Sequence, residues 1–574
     1  MIARFLRKHR TIIFFTVLVG IISVAPTVIA PLAFGTGYHG VQFQYLDDED
    51  IYRARIHEVL DGHPAIASPY LREYKDNSVA PVASINEWFY AAPALIVGLP
   101  FVMVASKFLL PALLFLLAYA ATRRLLGSGK KDAQLAALTV AFLVTLGYDF
   151  VDYAHVIAIM HGADPTLLIW TRLVNPIIGA LEVFAAITLA VMVTEKQRYA
   201  FIPLGIVLAL SVAYFFSYGM ILAVMGSLFV MCIAQKNFSA ARSLVYAGIL
   251  GLALDAPYWY HALTSLSGEA GRALALRNGM FYTHVPVINK FLVATTAAIG
   301  ACFAFAWKNK TMQKSVQSWM YIAALLAASW IAFNQQVLTG REIWYPHFVQ
   351  YVIPLCYVSL VAAAYLAFAG TWPRAWRAAM FLLCAASLLY GANSINAVIS
   401  KTTDFAHLQD DAQVFAILNR APKDCVALVV PSDSSLERLI PAYTSCDVYG
   451  TTYTFSGIPQ DRILHNYLLS LRLAGVRSED ARAYMLAHES AFRSYFFTDW
   501  TQLFGHGEDT WLTGETERIA RAYQEFEKGN LKAQLLQYRM DYLVTDHPLT
   551  PAVRNLLPGL NLATVTPRFF LYSF

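Results

Sequence analysis

The sequence predicts a polytopic α-helical membrane protein of about eleven transmembrane helices with a C-terminal extracytoplasmic α/β domain. Three observations predict it. Of 574 residues, 57% are hydrophobic and only 14% charged, with a mean hydropathy of +0.48, whereas soluble domains carry roughly 25% charged residues. The apolar residues gather into runs long enough to cross a bilayer. The basic residues stand in short clusters between those runs, and all fall on one side when the runs are counted off in turn. The formal net charge of +5 is therefore a topology signal, and no nucleic-acid partner is expected.

The N-terminus, MIARFLRKHR, continues into an apolar run over 11–34. This run is too long for the apolar core of a cleaved signal peptide, and no small-residue cleavage site follows it. It predicts a retained signal-anchor helix. Further spans are predicted near 108–122, 133–146, 174–194, 200–217, 220–234, 244–263, 287–307, 319–333, 349–368 and 378–396. With Arg4, Arg7, Lys8 and Arg10 in the cytoplasm, alternate loops collect Arg123, Arg124, Lys130 and Lys131, then Lys196 and Arg198, then Lys236 and Arg242. Lys308, Lys310 and Lys314 follow, and finally Arg374 and Arg377. This bias predicts a multi-pass protein of the inner (plasma) membrane, N-terminus inside and C-terminus outside. The stretch 88–105 is apolar enough to span, but counting it would throw every later cluster to the wrong face. It predicts an interfacial or re-entrant helix on the outer side, or half of a tight hairpin.

From about residue 401 charged residues return, and the runs CVALVV, MDYLVTD, NLATVT and RFFLYSF alternate with amphipathic segments. The chain thus divides into a membrane module at 1–400, with an outer loop at 35–105, and an extracytoplasmic α/β domain at 401–574. Cys232, Cys302, Cys356 and Cys384 lie in apolar segments and are packing residues. Cys425 and Cys446 lie in the polar region and pair only if it faces an oxidising compartment; their spacing alone leaves this open.

The first outer loop carries QYLDDEDIYRARIHEVLDGHPAIASPYLREYKD. Asp47, Asp48, Glu49 and Asp50 open a predicted helix, where negative charge complements the macrodipole and the free N–H groups. Tyr52, Arg55 and Glu58 then recur at helical spacing. Asp48-Glu49-Asp50-Ile51-Tyr52, followed by Glu58 and Leu60, resembles the DExxY…E-x-L motif in the first outer loop of GT-C glycosyltransferases. These include lipid A aminoarabinose transferases and protein O-mannosyltransferases.

The resemblance implies a GT-C-like fold and a glycosyltransferase. Its donor is a sugar linked to a polyprenyl phosphate, and its acceptor is a lipid, glycan or protein on the periplasmic side, in contact with membrane lipids. Asp48 aligns with the motif aspartate and is the expected general base, with Asp47 the next candidate; Glu49 and Asp50 are expected to cap the helix or stand solvated. Tyr52, Arg55 and Glu58 are expected to bind substrate. No metal-ligand spacing stands out; a divalent metal ion is the one cofactor the resemblance leaves open.

Other polar groups collect on the same side. In GYDFVDYAHVIAIMHGADPTLLIWTRLVNP, Asp149 and Asp152 read either as a second acid or metal ligand or as a helix cap, and Arg172 as a phosphate ligand or part of a pre-proline turn. His155 and His161 are on different helix faces and do not form a metal pair. In NQQVLTGREIWYPHF, Arg341 is basic where such residues are otherwise avoided, and with His347 it is a candidate for the donor phosphate. Arg272 and Arg277 are its rivals. Within the apolar runs, Glu182 and Asp255 mark costly acids that face a cavity or the interface. Such acids also suit a transporter or lipid-carrier flippase, and the outer domain suits an inactive envelope-polysaccharide assembly protein. A flippase, however, commonly shows internal repeats, which are lacking here.

Overall fold

The computed structural model describes the chain except residues 1, 45–47, 76–82, 128–130, 196–197, 269–270, 272–273, 276–279, 281, 313–314, 432–433, 452–457 and 497–507. Only the backbone is described for 2–8, 48, 131, 198, 402–404, 434, 494, 508–511, 552–553 and 556. The membrane module is built from α1 (Ile2–Phe34), α2 (Asp48–Leu60), α3 (Ile85–Val97), α4 (Leu99–Leu125), α5 (Lys131–Thr145) and α6 (Ile177–Thr194). It continues through α7 (Phe201–Leu210), α8 (Phe215–Ala234), α9 (Phe238–Leu266) and α10 (Lys290–Lys308). It ends with α11 (Val316–Phe333), α12 (Tyr345–Phe368) and α13 (Pro373–Asn393).

Nine described helices are long and apolar enough to cross a membrane. Two shorter apolar helices, Asp132–Thr145 and Phe201–Ala213, fill the remaining expected positions, although each falls short of the roughly 20 residues of a full span. Hydrogen bonds and ion pairs fix both ends of the bundle. At one end Arg124 pairs with Glu195 at 2.8 Å and Arg377 with Asp132 at 2.8 Å, while Ser318 donates to the Leu125 carbonyl. At the other, Asn86 donates to Asn175, the Val174 N–H to Tyr90, and Tyr357 to the carbonyls of Gly147 and Tyr148. The basic loops thus gather at one end, and the acidic loop at the opposite end with the C-terminal region.

The stretch 88–105 is divided. Helix α3 stops at Gly98, whose φ of 82° is one that residues with a Cβ rarely adopt. Helix α4 restarts with Pro100 in its first turn, where a missing N–H costs nothing. The first half is a separate helix packed on α2 and α4; the second half joins the next span. The local signal was Gly-Leu-Pro, which breaks the helix where hydropathy runs on unbroken.

The C-terminal region holds a five-stranded sheet in the order β2-β1-β3-β5-β4. Strands β1 (Val426–Val430), β3 (Tyr542–Thr545), β4 (Asn561–Val565) and β5 (Phe570–Ser573) arise from the four β-like runs. The two-residue β2 (Asp447–Val448) is too short to show in a sequence pattern. β2 and β3 flank β1 in parallel, and β5 and β4 add antiparallel. Cys425 and Cys446 form a disulfide with their Cα atoms 4.5 Å apart, just ahead of β1 and β2. The other four cysteines are free and buried.

The acidic loop is part of this region's core. Val41, Ala54, Tyr70 and Leu71 are buried with Val429, Leu436, Ile440 and Leu571. The Val448 N–H donates to the Tyr70 carbonyl at 2.9 Å, and Arg53 donates to the Ala442 carbonyl while lying 3.5 Å from the centroid of the Tyr443 ring.

One pH effect follows from α2. Burial, with Arg53 and Lys75 nearby, pushes His57 down to about 3. The folded protein keeps this imidazole neutral, whereas the unfolded chain takes up a proton below about pH 6.5. Stability from this group is complete above that pH and is lost progressively as pH falls toward 3. Thermal unfolding followed from pH 7 to pH 4 should show a smaller loss of Tm in His57→Gln than in the wild type.

Candidate functional site

Helix α2 is the element around which the polar groups assemble. Glu49 and Asp50, expected as caps or solvated charges, are buried at 1% exposure each. Glu49 pairs at 3.0 Å with Lys107 of α4, itself 4% exposed. Lys107 lies eight residues into α4, about 12 Å along its axis at ~1.5 Å per residue. The start of α2 is therefore pinned onto the membrane bundle. Asp50 accepts from Gln44 at 2.9 Å and faces Arg438 at 3.7 Å. Burial is what defeats the solvated reading: an acid here must be paired, and each has a partner. Asp47 lies outside the described residues. Asp48 is the first residue of α2, and its side chain is likewise outside them.

Below α2 a basic and aromatic cluster closes the end of the bundle. Arg172 follows the short helix Ile169–Thr171 and lies within electrostatic reach of His347 and Tyr351 of α12. Tyr52 of α2, Glu182 of α6 and Tyr214 are within the same reach of Tyr351. His347 Nδ1 is 3.0 Å from Tyr214 Oη, and its ring packs between Phe216 and Trp344. Glu342 sets the start of α12. Its carboxylate accepts from the N–H groups of Trp344 at 3.0 Å and Tyr345 at 2.7 Å, holding Trp344 at a φ of 39°. Burial raises the Glu342 carboxyl above its ordinary range despite those donors. Glu182 is buried and accepts from Ser217 at 3.1 Å.

Arg55 borders this cluster, paired with Glu87 of α3 at 2.6 Å and within electrostatic reach of Tyr52 and Tyr258. Asp255 is on the inward stripe of α9 with Ala247, Gly251 and Ala262. Of the sequence candidates, Tyr52 and Arg172 thus lie within electrostatic reach of Tyr351, and Arg172 also of His347; Arg55 stands beside Tyr52 on α2, and Tyr214, Tyr351 and Glu342 are added.

The other candidates go elsewhere. Glu58 is buried against Lys75 at 2.7 Å, at the junction with the C-terminal region. Asp149 accepts from Tyr390 at 3.0 Å, and burial raises its carboxyl. Asp152 caps the helix Tyr153–Met160 by accepting the His155 N–H. Arg341 is exposed and donates to Tyr282 at 2.7 Å. Arg272 and Arg277 lie outside the described residues. No set of three His, Cys, Asp or Glu that could hold a metal ion occurs among the described residues.

Lys107 is the group that sequence reading missed. Its signal was a lone lysine inside an apolar run, VMVASKFLLPA, where a charge must find a partner.

No protein-family model and no curated protein sequence matches the chain. Solved structures are similar to it over most of its length. The Archaeoglobus fulgidus oligosaccharyltransferase in its apo form is 11% identical, with a TM-score of 0.46 over 94% of this chain and 69% of that one. The same organism's AglB, in complex with an inhibitory peptide and a dolichol-phosphate, is 13% identical with a TM-score of 0.45, over 94% and 70%. ArnT from Cupriavidus metallidurans in the apo state is 10% identical with a TM-score of 0.44, over 96% and 97%.

Proposed function

We propose that the protein is a membrane glycosyltransferase that moves a sugar from a polyprenyl-phosphate-linked donor to an acceptor on the outer side of the membrane. The observation that carries this is the placement of α2. Its DEDIY start resembles the GT-C motif, and the buried Glu49–Lys107 pair seats that start on the bundle. Tyr52, one turn on from Asp48, reaches the Arg172–His347–Tyr351 cluster. What supports the reading is that the helix bearing the motif meets a guanidinium and an aromatic cluster at the end of the bundle, where a lipid phosphate would be received.

In this reading Asp48, or Asp47 beside it, takes the proton from the acceptor hydroxyl or amine as it attacks the anomeric carbon. The anomeric C–O bond breaks and the polyprenyl phosphate leaves with its electron pair. Arg172 faces that phosphate, and a guanidinium matches its oxygens in geometry as well as charge. The outer placement is supported by the one-sided distribution of Lys and Arg. The Cys425–Cys446 disulfide also supports it, since such bonds persist in oxidising compartments.

The test uses the full-length protein in lipid nanodiscs with a panel of short-chain polyprenyl-phosphate pentoses and hexoses, following release of polyprenyl phosphate. Acceptor-dependent release from one donor is expected. Binding of bare polyprenyl phosphate should weaken about 10- to 100-fold in Arg172→Ala, the loss of one charged hydrogen-bonding partner. Absence of both release and polyprenyl-phosphate binding across the panel would overturn the reading.

A further inference from the structure

Helix α2 is held on a second side, away from the membrane. Ile51, Ala54 and Glu58 form one stripe at helical spacing and face the C-terminal region, while Tyr52 and Arg55 form the adjacent stripe toward the bundle. Glu58 ends the first stripe on Lys75. The Lys75 ammonium, 3% exposed, lies 2.7 Å from Glu58, 3.0 Å from Asp447 and 3.4 Å from Asp424. His63 approaches Asp424 at 3.5 Å.

Asp424 immediately precedes Cys425 and Asp447 immediately follows Cys446, so the two aspartates that grip Lys75 flank the disulfide. Backbone bonds reinforce the pairing: the Asp447 N–H donates to the Cys425 carbonyl at 2.6 Å and the Asp424 N–H to the Ser445 carbonyl at 2.9 Å. Arg72 donates to the Asp424 carbonyl at 3.1 Å. The disulfide thus ties together two chain segments 21 residues apart, and each presents one carboxylate to the same lysine.

We propose that Lys75 is a positioning residue, and that Asp424 and Asp447, held together by the adjoining Cys425–Cys446 disulfide, clamp it so that Glu58 fixes the pose of α2 and hence of the acidic start at Asp48. The link from pose to turnover rests on the transferase reading above; the clamp itself does not. Lys75 touches no reacting atom. Its effect is to keep a helix from shifting, and a displacement of about 1 Å at a reacting group costs on the order of 10²-fold in rate.

The test measures amide hydrogen exchange along 48–60 together with kcat and KM in five full-length proteins. These are the wild type, Lys75→Met, Lys75→Arg, the double variant Cys425→Ala/Cys446→Ala and the triple variant that adds Lys75→Met to it. Lys75→Met should speed exchange in α2 and lower kcat by about 10- to 100-fold, with KM for the lipid donor little changed. Lys75→Arg should recover most of both, because the charge is kept. The double cysteine variant should reproduce the Lys75→Met pattern, and adding Lys75→Met to it should do little more, since both release one clamp. Wild-type exchange rates in α2 in both Lys75→Met and the double cysteine variant would overturn the proposal. If no donor is turned over by the wild type, the transferase reading fails while the exchange rates still decide the clamp.

Discussion

Asp48→Asn should lower turnover by about 10²- to 10⁴-fold, the range over which a positioned general base contributes. Asparagine keeps the shape of the residue and its ability to cap a helix, so α2 should still form from its first residue. KM for the lipid donor should stay near its wild-type value, because the donor phosphate is assigned to Arg172. Asp47→Asn, measured beside it, separates the adjacent acids: the larger loss in kcat marks the base. If both variants turn over at wild-type rates, neither aspartate removes the acceptor proton.

Lys107→Met should be strongly destabilising. It takes the Lys107 ammonium away from Glu49, buried at 1% exposure, and removing one partner of a buried ion pair costs about 3–5 kcal/mol. Removing the charge on both sides, with Lys107→Met and Glu49→Gln together, should recover most of that loss, since a buried pair contributes little over a neutral replacement. Thermal unfolding of the four proteins in one detergent completes the double-mutant cycle. Equal destabilisation in the single and double variants would show that the methionine disrupts packing and that the ion pair is not the cause. The single variant should also lose turnover, because the start of α2 is then free to leave the bundle.

The helical bundle was legible in the sequence because lipid enforces a local rule. Each spanning segment must satisfy its own backbone hydrogen bonds and cover itself with apolar side chains within about 20 residues, so a window of that length holds the signal. The strands Val426–Val430 and Tyr542–Thr545 were legible for the same reason, as short apolar runs between turns. The helical spacing of Tyr52, Arg55 and Glu58 was legible because periodicity is local too, but that Glu58 turns to Lys75 was not.

Long-range pairing was not. Nothing in the spacing of Glu49 and Lys107, or of Lys75 and Asp447, marks them as partners; the fold alone brings them together across 58 residues in the first case and far more in the second. Glu58 fits the acidic motif pattern, yet the structure places it in the docking of the C-terminal region. Asp152 caps a helix, and Arg341 rests on Tyr282 in solvent.

By itself the sequence determined the membrane class and order of the spans, the four longer strands and an acidic helix start. Tertiary structure decided that Cys425 and Cys446 pair, that α2 is wedged between the bundle and the helix Ser434–Tyr443 of the C-terminal region, and which charges are buried. The physical reason is one of range. Hydropathy and periodicity act along the chain, whereas a buried charge is decided by a partner that only folding supplies.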